Sequence, residues 1–152
     1  PIINFEEKPI YNREQIQNIV PHRNPFLFID EIRDLGNDFI IGIKFVHEKE
    51  DYFKGHFPNY PVMPGVLQLE SMAQVGGVLI LNTVKDPENY LTYFMKIDNA
   101  KFKQKVIPGD TIIFKLELIS PIRRGLCHMH GMGFVDGKIV VEADLLAQIS
   151  RK

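Results

Sequence analysis

The pattern of apolar and polar positions predicts one long, buried helix in the middle of the chain. Between residues 65 and 81 only four side chains are polar: Gln68, Glu70, Ser71 and Gln74. Such a helix has no polar face to turn toward water, so we expect it to lie in the core. Pro64 favours a helix start at Gly65. The run of about 17 residues carries a glutamate and follows a proline-rich loop, so we do not interpret it as a membrane span.

Segments rich in β-branched and aromatic residues predict strands on both sides of this helix. They cover residues 26–35, 39–47, 90–97, 100–107, 111–120, 122–135 and 138–149. Turn-forming residues separate several of them, and Asp136-Gly137 is a strong two-residue hairpin signal. A short helix is predicted over residues 12–19, with Asn12 as its N-cap. One full-length helix among about six antiparallel strands indicates an α+β fold.

The composition favours one globular domain. The chain has 152 residues, of which 45% are hydrophobic and 24% charged, enough for one core and too few for a second. We therefore expect a single domain over residues 1–152, with residues 1–9 as a lead-in; because it begins with Pro1, the chain was processed, trimmed or cut from a longer one. The net charge of −1 argues against a general electrostatic nucleic-acid binder.

The single cysteine and the absence of targeting segments restrict the chemistry and the compartment. Cys127 excludes an internal disulfide and a multi-cysteine zinc site, and we expect it to be a small buried residue. His128 and His130 point to one side of a predicted strand, but no third ligand is indicated, so we favour packing over a metal site. Neither a signal peptide nor a transmembrane run is visible, which predicts a cytoplasmic protein.

The candidate chemistry lies just before and within the long helix. Prolines at positions 58, 61 and 64 exclude regular structure and predict a rigid loop with His56 at its mouth. Glu70 lies in a largely apolar helix, where a charge is costly unless it is paired or protonated. Gln74, four residues later, is on the same face and in reach of its carboxyl group. Alternatively, Glu70 points into water or pairs with a basic residue elsewhere.

The segments around these two residues resemble the active-site signature of the β-hydroxyacyl-acyl-carrier-protein dehydratases, the FabZ family. The segments that carry the resemblance are Gly55 to Pro58, Pro61 to Leu67 and Glu70 to Gln74, with weaker likeness in Pro21 to Leu27, Ile97 to Phe102, Val106 to Asp110 and Gly137 to Ala143. The resemblance implies a hotdog fold, in which a curved antiparallel sheet wraps a long central helix. Asn24 and the run Glu48 to Asp51 depart from the family pattern.

For function, the resemblance implies (3R)-hydroxyacyl-acyl-carrier-protein dehydration to the trans-2-enoyl product in fatty acid biosynthesis, without cofactor or metal. His56 is the expected base at C2 of the substrate and Glu70 the expected acid for the departing hydroxyl. Which of the two moves which proton is open, and one residue could move both. The N–H of Gly65 at the helix start would stabilise the thioester oxygen. We expect further substrate contacts from Phe57, Val62, Met63, Val66 and Gln74.

The resemblance also implies partners. Family sites lie between two subunits, with His from one and Glu from the other, so we expect a homodimer and three such dimers in a hexamer. The acyl carrier protein is acidic, and Lys101, Lys103 and Lys105 are candidates for docking it, with Lys54, Arg123 and Arg124 as additions; a solvated strand face is the alternative. Some family members are fused behind a deacetylase of lipid A biosynthesis.

Two other functions stay open. Acyl-thioester hydrolysis is known on the same fold, although the pairing of His56 with Glu70 favours elimination. A non-catalytic module that binds an acyl carrier is the third interpretation. His22 and Arg23 follow the first predicted helix, and we expect them to cap its C-terminal end rather than to act in catalysis. Tyr93, Phe94 and Met95 line an acyl tunnel or simply belong to the core.

Overall fold

The computed structural model describes all 152 residues and shows one six-stranded antiparallel sheet packed against one long helix. The sheet order is β1-β2-β4-β5-β6-β3. The strands are β1 (Glu31–Leu35), β2 (Phe39–Phe45), β3 (Tyr90–Phe102), β4 (Thr111–Leu118), β5 (Leu126–Val135) and β6 (Lys138–Arg151). The helices are α1 (Arg13–Gln17) and α2 (Gly65–Leu81), with short 3₁₀ turns at Asp51–Lys54 and Pro87–Asn89. The predicted α+β hotdog architecture is confirmed.

The central helix α2 has the bounds that the sequence predicted, and most of its residues are buried. It packs closely on the sheet because glycines remove side-chain bulk at two crossing points. A Cβ atom at Gly131 of β5 would overlap the sulfur of Met72, and one at Gly76 of α2 would overlap the side chain of Met129. The side chains of Met72 and Met129 therefore fill the space that the two glycines leave between helix and sheet.

The segment before β1 is the first departure from prediction, because residues 26–30 do not join the predicted strand. Side chains occupy the backbone groups that a strand would use for pairing. Gln74 accepts the N–H of Phe28 (2.7 Å) and donates to the carbonyl of Phe26 (2.9 Å). Arg13 donates to the carbonyls of Leu27 (3.0 Å) and Ile29 (3.2 Å). Residues 26–29 are thereby held against the two helices, and only Asp30 donates its backbone N–H to β2, at Ile43 (2.8 Å).

The predicted strands 90–97 and 100–107 form one strand, β3, which ends at Phe102. Irregularities after Phe94 and Asp98 allow the strand to bend while it stays paired with β6. The Asp136-Gly137 hairpin is confirmed, since both residues have positive φ angles of 50° and 79°, as a tight two-residue turn requires.

The first helix is confirmed but shorter than predicted. Asn12 accepts the N–H of Gln15 (2.9 Å), and the Gln15 side chain accepts the N–H of Asn12 (2.8 Å), which makes a reciprocal cap. The helix ends at Gln17.

Cys127 is fully buried, and burial raises the pKa of its thiol to about 12. No helix in the structure is long and apolar enough to cross a membrane.

The two edges of the sheet differ. At the β1 edge, Tyr11 exchanges backbone hydrogen bonds with Ile32 (2.9 and 3.3 Å). The β3 edge has no further strand beside it. Several large apolar side chains of β3 are substantially exposed, among them Tyr93 at 52%, Met95 at 55% and Phe102 at 51%.

Candidate active site

The loop before α2 fixes His56 through backbone hydrogen bonds. The N–H of His56 donates to Tyr52 (3.1 Å), and its carbonyl accepts from Val62 (3.0 Å). The ring nitrogen Nδ1 lies 2.7 Å from the carbonyl oxygen of Val62. A carbonyl only accepts, so Nδ1 carries the proton and Nε2 of the neutral ring keeps a free lone pair. The ring also stacks on Phe57 at 4.0 Å. This arrangement presents Nε2 as a base.

The start of α2 lies in the same open groove of about 600 Å³ as His56. The N–H groups of Gly65 and Val66 have no hydrogen-bond partner in the protein. They point outward from the positive end of the helix and can receive a developing negative charge. Val62, Met63, Gly65 and Val66 all line this groove, with Lys103 and Lys105 on its other side.

The absence of a side chain at Gly65 permits a contact that the sequence did not predict. A Cβ atom on this residue would lie 2.7 Å from the ring of Phe102, at the end of β3. The glycine therefore allows an aromatic side chain to cover the first turn of the helix. Phe102 itself is half exposed at 51% and forms part of the groove wall.

Glu70 lies in a second, much smaller cavity of about 50 Å³, between α2 and strands β3 and β6. Its Oε2 accepts a hydrogen bond from Gln74 Nε2 (2.8 Å), and His22 Nε2 is 3.4 Å from the same oxygen. The other oxygen, Oε1, has no partner in the protein. The carboxyl group is thus held at one oxygen, and the free oxygen is available to a substrate.

Gln74 cannot rotate away from Glu70, because both ends of its amide are engaged. Its Oε1 accepts the N–H of Phe28, and its Nε2 donates to the carbonyl of Phe26 as well as to Glu70. Ser71 donates to the carbonyl of Phe28 (2.6 Å) from the same helix. The acid is therefore oriented by a buried network that also anchors the segment before β1.

The two cavities share no lining residue within one chain. His56, Gly65 and Val66 belong to the open groove, and Glu70 and Gln74 to the small cavity. Phe57 lines neither and contacts the His56 ring instead. The structure thus keeps apart, within one chain, the base and the acid that the sequence paired.

Another groove of about 600 Å³ lies beside the loop that departs from the family pattern. Glu50 is central to its wall, with an ion pair to Lys44 and a hydrogen bond from the Tyr52 hydroxyl (2.7 Å). Burial, and then the bond to Glu50, raise the pKa of Tyr52 well above its ordinary value. Glu50 is thus paired within the protein with both Lys44 and Tyr52, and these contacts stabilise the wall of the groove.

The sequence interpretation missed one residue of the Glu70 cavity, His22. We expected His22 and Arg23 to cap α1, but only Arg23 donates to a carbonyl near that helix, at Val20 (3.0 Å). His22 turns inward beside Glu70. The available signal was its position in the Pro21 to Leu27 segment, which already formed part of the resemblance.

Comparison with known proteins shows the family and the fold. Residues 20–144 match the model of the family described as "FabA-like domain". A solved dehydratase, "ApeI:P" of Xenorhabdus doucetiae, superposes with a TM-score of 0.78 over 90% of this chain and 91% of that one at 15% identity, which concerns the fold alone.

Two curated relatives refine the comparison. The bifunctional enzyme LpxC/FabZ of Bacteroides thetaiotaomicron is 52% identical over 98% of this chain, which spans only 32% of that relative's length. The 3-hydroxyacyl-[acyl-carrier-protein] dehydratase FabZ of Solibacter usitatus is 41% identical over 94% of this chain and 88% of its own. The resemblance noted in the sequence is thus confirmed, and the chain belongs to the FabA-like domain family, among the FabZ proteins.

Proposed function

We propose that this chain removes water reversibly from 3-hydroxyacyl thioesters carried on an acyl carrier protein and yields trans-2-enoyl thioesters. The observation that carries the proposal is the state of His56, whose Nδ1–H is fixed on the Val62 carbonyl so that Nε2 is a base beside two free helix N–H groups. The FabZ protein of Solibacter usitatus, named as a 3-hydroxyacyl-[acyl-carrier-protein] dehydratase, supports the same activity.

The first half of the reaction takes place at the groove. Nε2 of His56 takes the proton from C2 of the substrate, and the electrons of that C–H bond move toward the thioester. The thioester oxygen gains negative charge and is stabilised by the N–H groups of Gly65 and Val66. Because these donors are fixed in the helix backbone, they need no rearrangement as the charge develops.

The second half takes place at Glu70. The electrons at C2 form the C2=C3 double bond, the C3–O bond breaks, and the leaving oxygen takes a proton from Oε1 of Glu70. The products are the enoyl thioester and water, with the base protonated and the acid ionised. One proton passed from His56 to Glu70 through solvent restores the starting state.

We infer that one site is built from two chains. In a single chain His56 and Glu70 open into cavities without a common residue. The unpaired edge of β3, with its exposed apolar side chains, is adjacent to both cavities, since Tyr93 and Phe94 line one and Phe102 the other. A second copy on this edge would cover that apolar surface and supply the missing partner; three such dimers give the hexamer we expect.

Mixed oligomers provide the experiment on site sharing. His56→Ala and Glu70→Ala chains are each inactive, but a mixed dimer has one complete site if the two residues come from different chains. After random subunit exchange half of the dimers are mixed, so about a quarter of wild-type activity returns. A mixture no more active than either parent would show that each chain uses its own pair. The mass of the wild-type assembly in solution, by light scattering, decides between a dimer and a hexamer.

The activity itself is tested by the absorbance of the enoyl thioester while the protein is mixed with crotonyl or 3-hydroxybutyryl thioester. We expect reversible interconversion, lowered by about 10² to 10⁴-fold in His56→Ala and in Glu70→Ala. Circular dichroism checks that both variants are folded. Release of free thiol without a change in the double bond would instead establish hydrolysis, and no turnover on carrier-bound substrate would favour a binding module.

We propose that the basic residues beside the groove dock the acidic carrier. Lys103 and Lys105 line the groove that contains His56, which places them where a carrier must deliver the thioester. Changing Lys101, Lys103 and Lys105 to glutamate is expected to raise KM for carrier-bound substrate far more than for a short thioester. Lys85→Glu, beyond the opposite end of α2, controls for the loss of positive charge. Equal effects on both substrates would rule out docking.

A further inference from the structure

His22 is the one histidine that approaches Glu70, and its surroundings are unusual. Its Nε2 is 3.4 Å from Oε2 of Glu70, and both side chains are only 17% exposed. Its other ring nitrogen, Nδ1, is buried and has no hydrogen-bond partner. The mechanism described above does not use this residue.

The missing partner at Nδ1 determines where the ring holds its proton. A buried N–H without an acceptor is costly, so a proton on Nδ1 is disfavoured. The proton therefore lies on Nε2, the nitrogen 3.4 Å from Oε2 of Glu70. A doubly protonated ring would also place an unpaired N–H at Nδ1, so the same argument keeps the ring neutral, although a carboxylate is adjacent.

A neutral N–H donor beside Glu70 has a different effect on the carboxyl group from a positively charged one. A lysine or arginine beside Glu70 would hold it ionised, and an ionised carboxylate has no proton to give. Gln74 instead donates a neutral N–H to Oε2 (2.8 Å), and Nε2 of His22 lies 3.4 Å from the same oxygen. The proton of the acid form then lies on Oε1, the oxygen without a protein partner. The residues that line the cavity from α2, β3 and β6 include only one other titratable group, Tyr93.

We propose that His22 is a positioning residue for the dehydration: as a neutral Nε2–H donor it holds Oε2 of Glu70, so that Oε1 exchanges the proton with the substrate oxygen. This inference rests on the proposed function for its catalytic part. The assignment of the ring proton is independent of any activity.

The ring proton is measured by ¹⁵N–¹H correlation spectra of the histidine side chains at neutral pH. We expect His22 in the neutral Nε2–H form and His56 in the opposite, Nδ1–H form, with His22→Gln and His56→Ala samples for assignment. A positively charged His22 ring, or a proton on Nδ1, would overturn the proposal. Because this measurement needs no turnover, it decides the assignment even where the dehydratase activity fails.

The catalytic part is measured with two replacements of different chemistry. His22→Phe keeps a flat ring but has no donor, and we expect kcat to fall about tenfold with KM changed by less than about twofold. His22→Gln restores a neutral N–H, and we expect it to regain most of that loss. Equal losses in the two variants would show that the donor is irrelevant.

A double variant separates positioning from a purely structural role. If His22 acts through Glu70, His22→Phe has no further effect on kcat in a Glu70→Gln background. A tenfold loss in both backgrounds would mean that His22 supports the fold rather than the acid, and the proposal would be wrong.

Discussion

The two halves of the candidate site are built in different ways. His56 is held by backbone groups of a proline-rich loop, and it faces an open groove of about 600 Å³. Glu70 is held by side chains, Gln74 and His22, and it faces a cavity of about 50 Å³. His56 is anchored and accessible, whereas Glu70 is oriented by a buried amide and is only 17% exposed.

The difference matches what each group must do. In the proposed dehydration the base must receive a thioester that arrives on a carrier, so it needs access, and a backbone anchor fixes the tautomer of His56 without enclosing the ring. Glu70 instead lies in a small cavity, where neighbouring side chains orient its carboxyl group. The orientation of Glu70 therefore depends on neighbouring side chains, whereas that of His56 depends on a backbone carbonyl.

The largest expected effect comes from the amide that orients the acid. In Gln74→Leu the N–H of Phe28 and the carbonyl of Phe26 lose their partner inside the protein, so we expect the free energy of unfolding to fall by about 2–5 kcal/mol. Gln68 is the matched control, because it lies on the same helix but lines the groove. It makes one long bond to Met63 (3.3 Å), and its Oε1 has no partner, so Gln68→Leu is expected to cost about 1 kcal/mol or less.

Urea unfolding of the two leucine variants measures this difference directly. Similar losses of unfolding free energy in both variants would mean that the hydrogen bonds around Glu70 are no stronger than those beside the groove. The proposed difference between the two halves of the site would then be wrong. If Gln74→Leu remains folded, its kcat is expected to fall with that of the Glu70 variants, since the carboxyl group is free to turn.

The fold could be predicted from the sequence to a large extent, because it follows from local patterns. The bounds of α2 came from a continuous apolar run after Pro64, and the β5–β6 hairpin came from Asp136-Gly137. The course of residues 26–29 could not be predicted, because their backbone partners are side chains of Gln74 and Arg13, which are distant in sequence. No periodicity within the segment records such contacts.

The sequence singled out His56 and Glu70 as members of the candidate site, but it did not show how they are arranged. His56 and Glu70 stood out as a histidine among prolines and an acid in an apolar helix. The state of the His56 ring depends on a carbonyl six residues away, and no side-chain pattern encodes it. His22 was missed because a histidine after a helix normally suggests a cap, and only the folded chain shows that it turns toward Glu70.

A smaller effect is expected from glycines at the two halves of the site. Gly65→Ala places a methyl group 2.7 Å from the ring of Phe102, so we expect a loss of about 1–3 kcal/mol through overpacking. Gly77 lies beside Glu70, and its nearest side-chain atoms, on Val20 and Thr92, are 3.9 and 4.0 Å from an added Cβ. Gly77→Ala is therefore expected to stabilise the helix by about 0.5–1 kcal/mol.

Thermal unfolding of both alanine variants measures whether each substitution lowers or raises the stability. If Gly65→Ala is as stable as the wild type, the Phe102 ring can move to accommodate the added methyl group, and this part of the groove wall is mobile. If Gly77→Ala is destabilising, the cavity beside Glu70 has no spare volume.

The smallest effect on stability is expected at an imidazole–carboxylate pair outside the site. This pair shows what such a contact contributes to stability where no catalysis takes place. His130 on β5 lies 2.7 Å from Asp144 on β6, and Asn99 donates to the other carboxylate oxygen (3.0 Å). The hydrogen bond from His130, and then that from Asn99, lower the pKa of Asp144 below its ordinary value. A lowered pKa in the folded state means that the ionised form stabilises the protein, fully above the unfolded pKa of 3.8 and progressively less as the pH falls through the folded value.

His130→Thr keeps a residue suited to a strand and removes the pair. We expect it to lower the free energy of unfolding at pH 7 by less than about 1 kcal/mol, because the pair is exposed to solvent. The difference from the wild type should shrink as the pH falls below 3.8 and through the lower pKa of folded Asp144, and dehydration activity should not change. A difference that persists unchanged in acid would assign the loss to packing. A fall in activity would mean that the outer face of the sheet communicates with the site, and the separation between an exposed structural pair and an enclosed catalytic one would no longer hold.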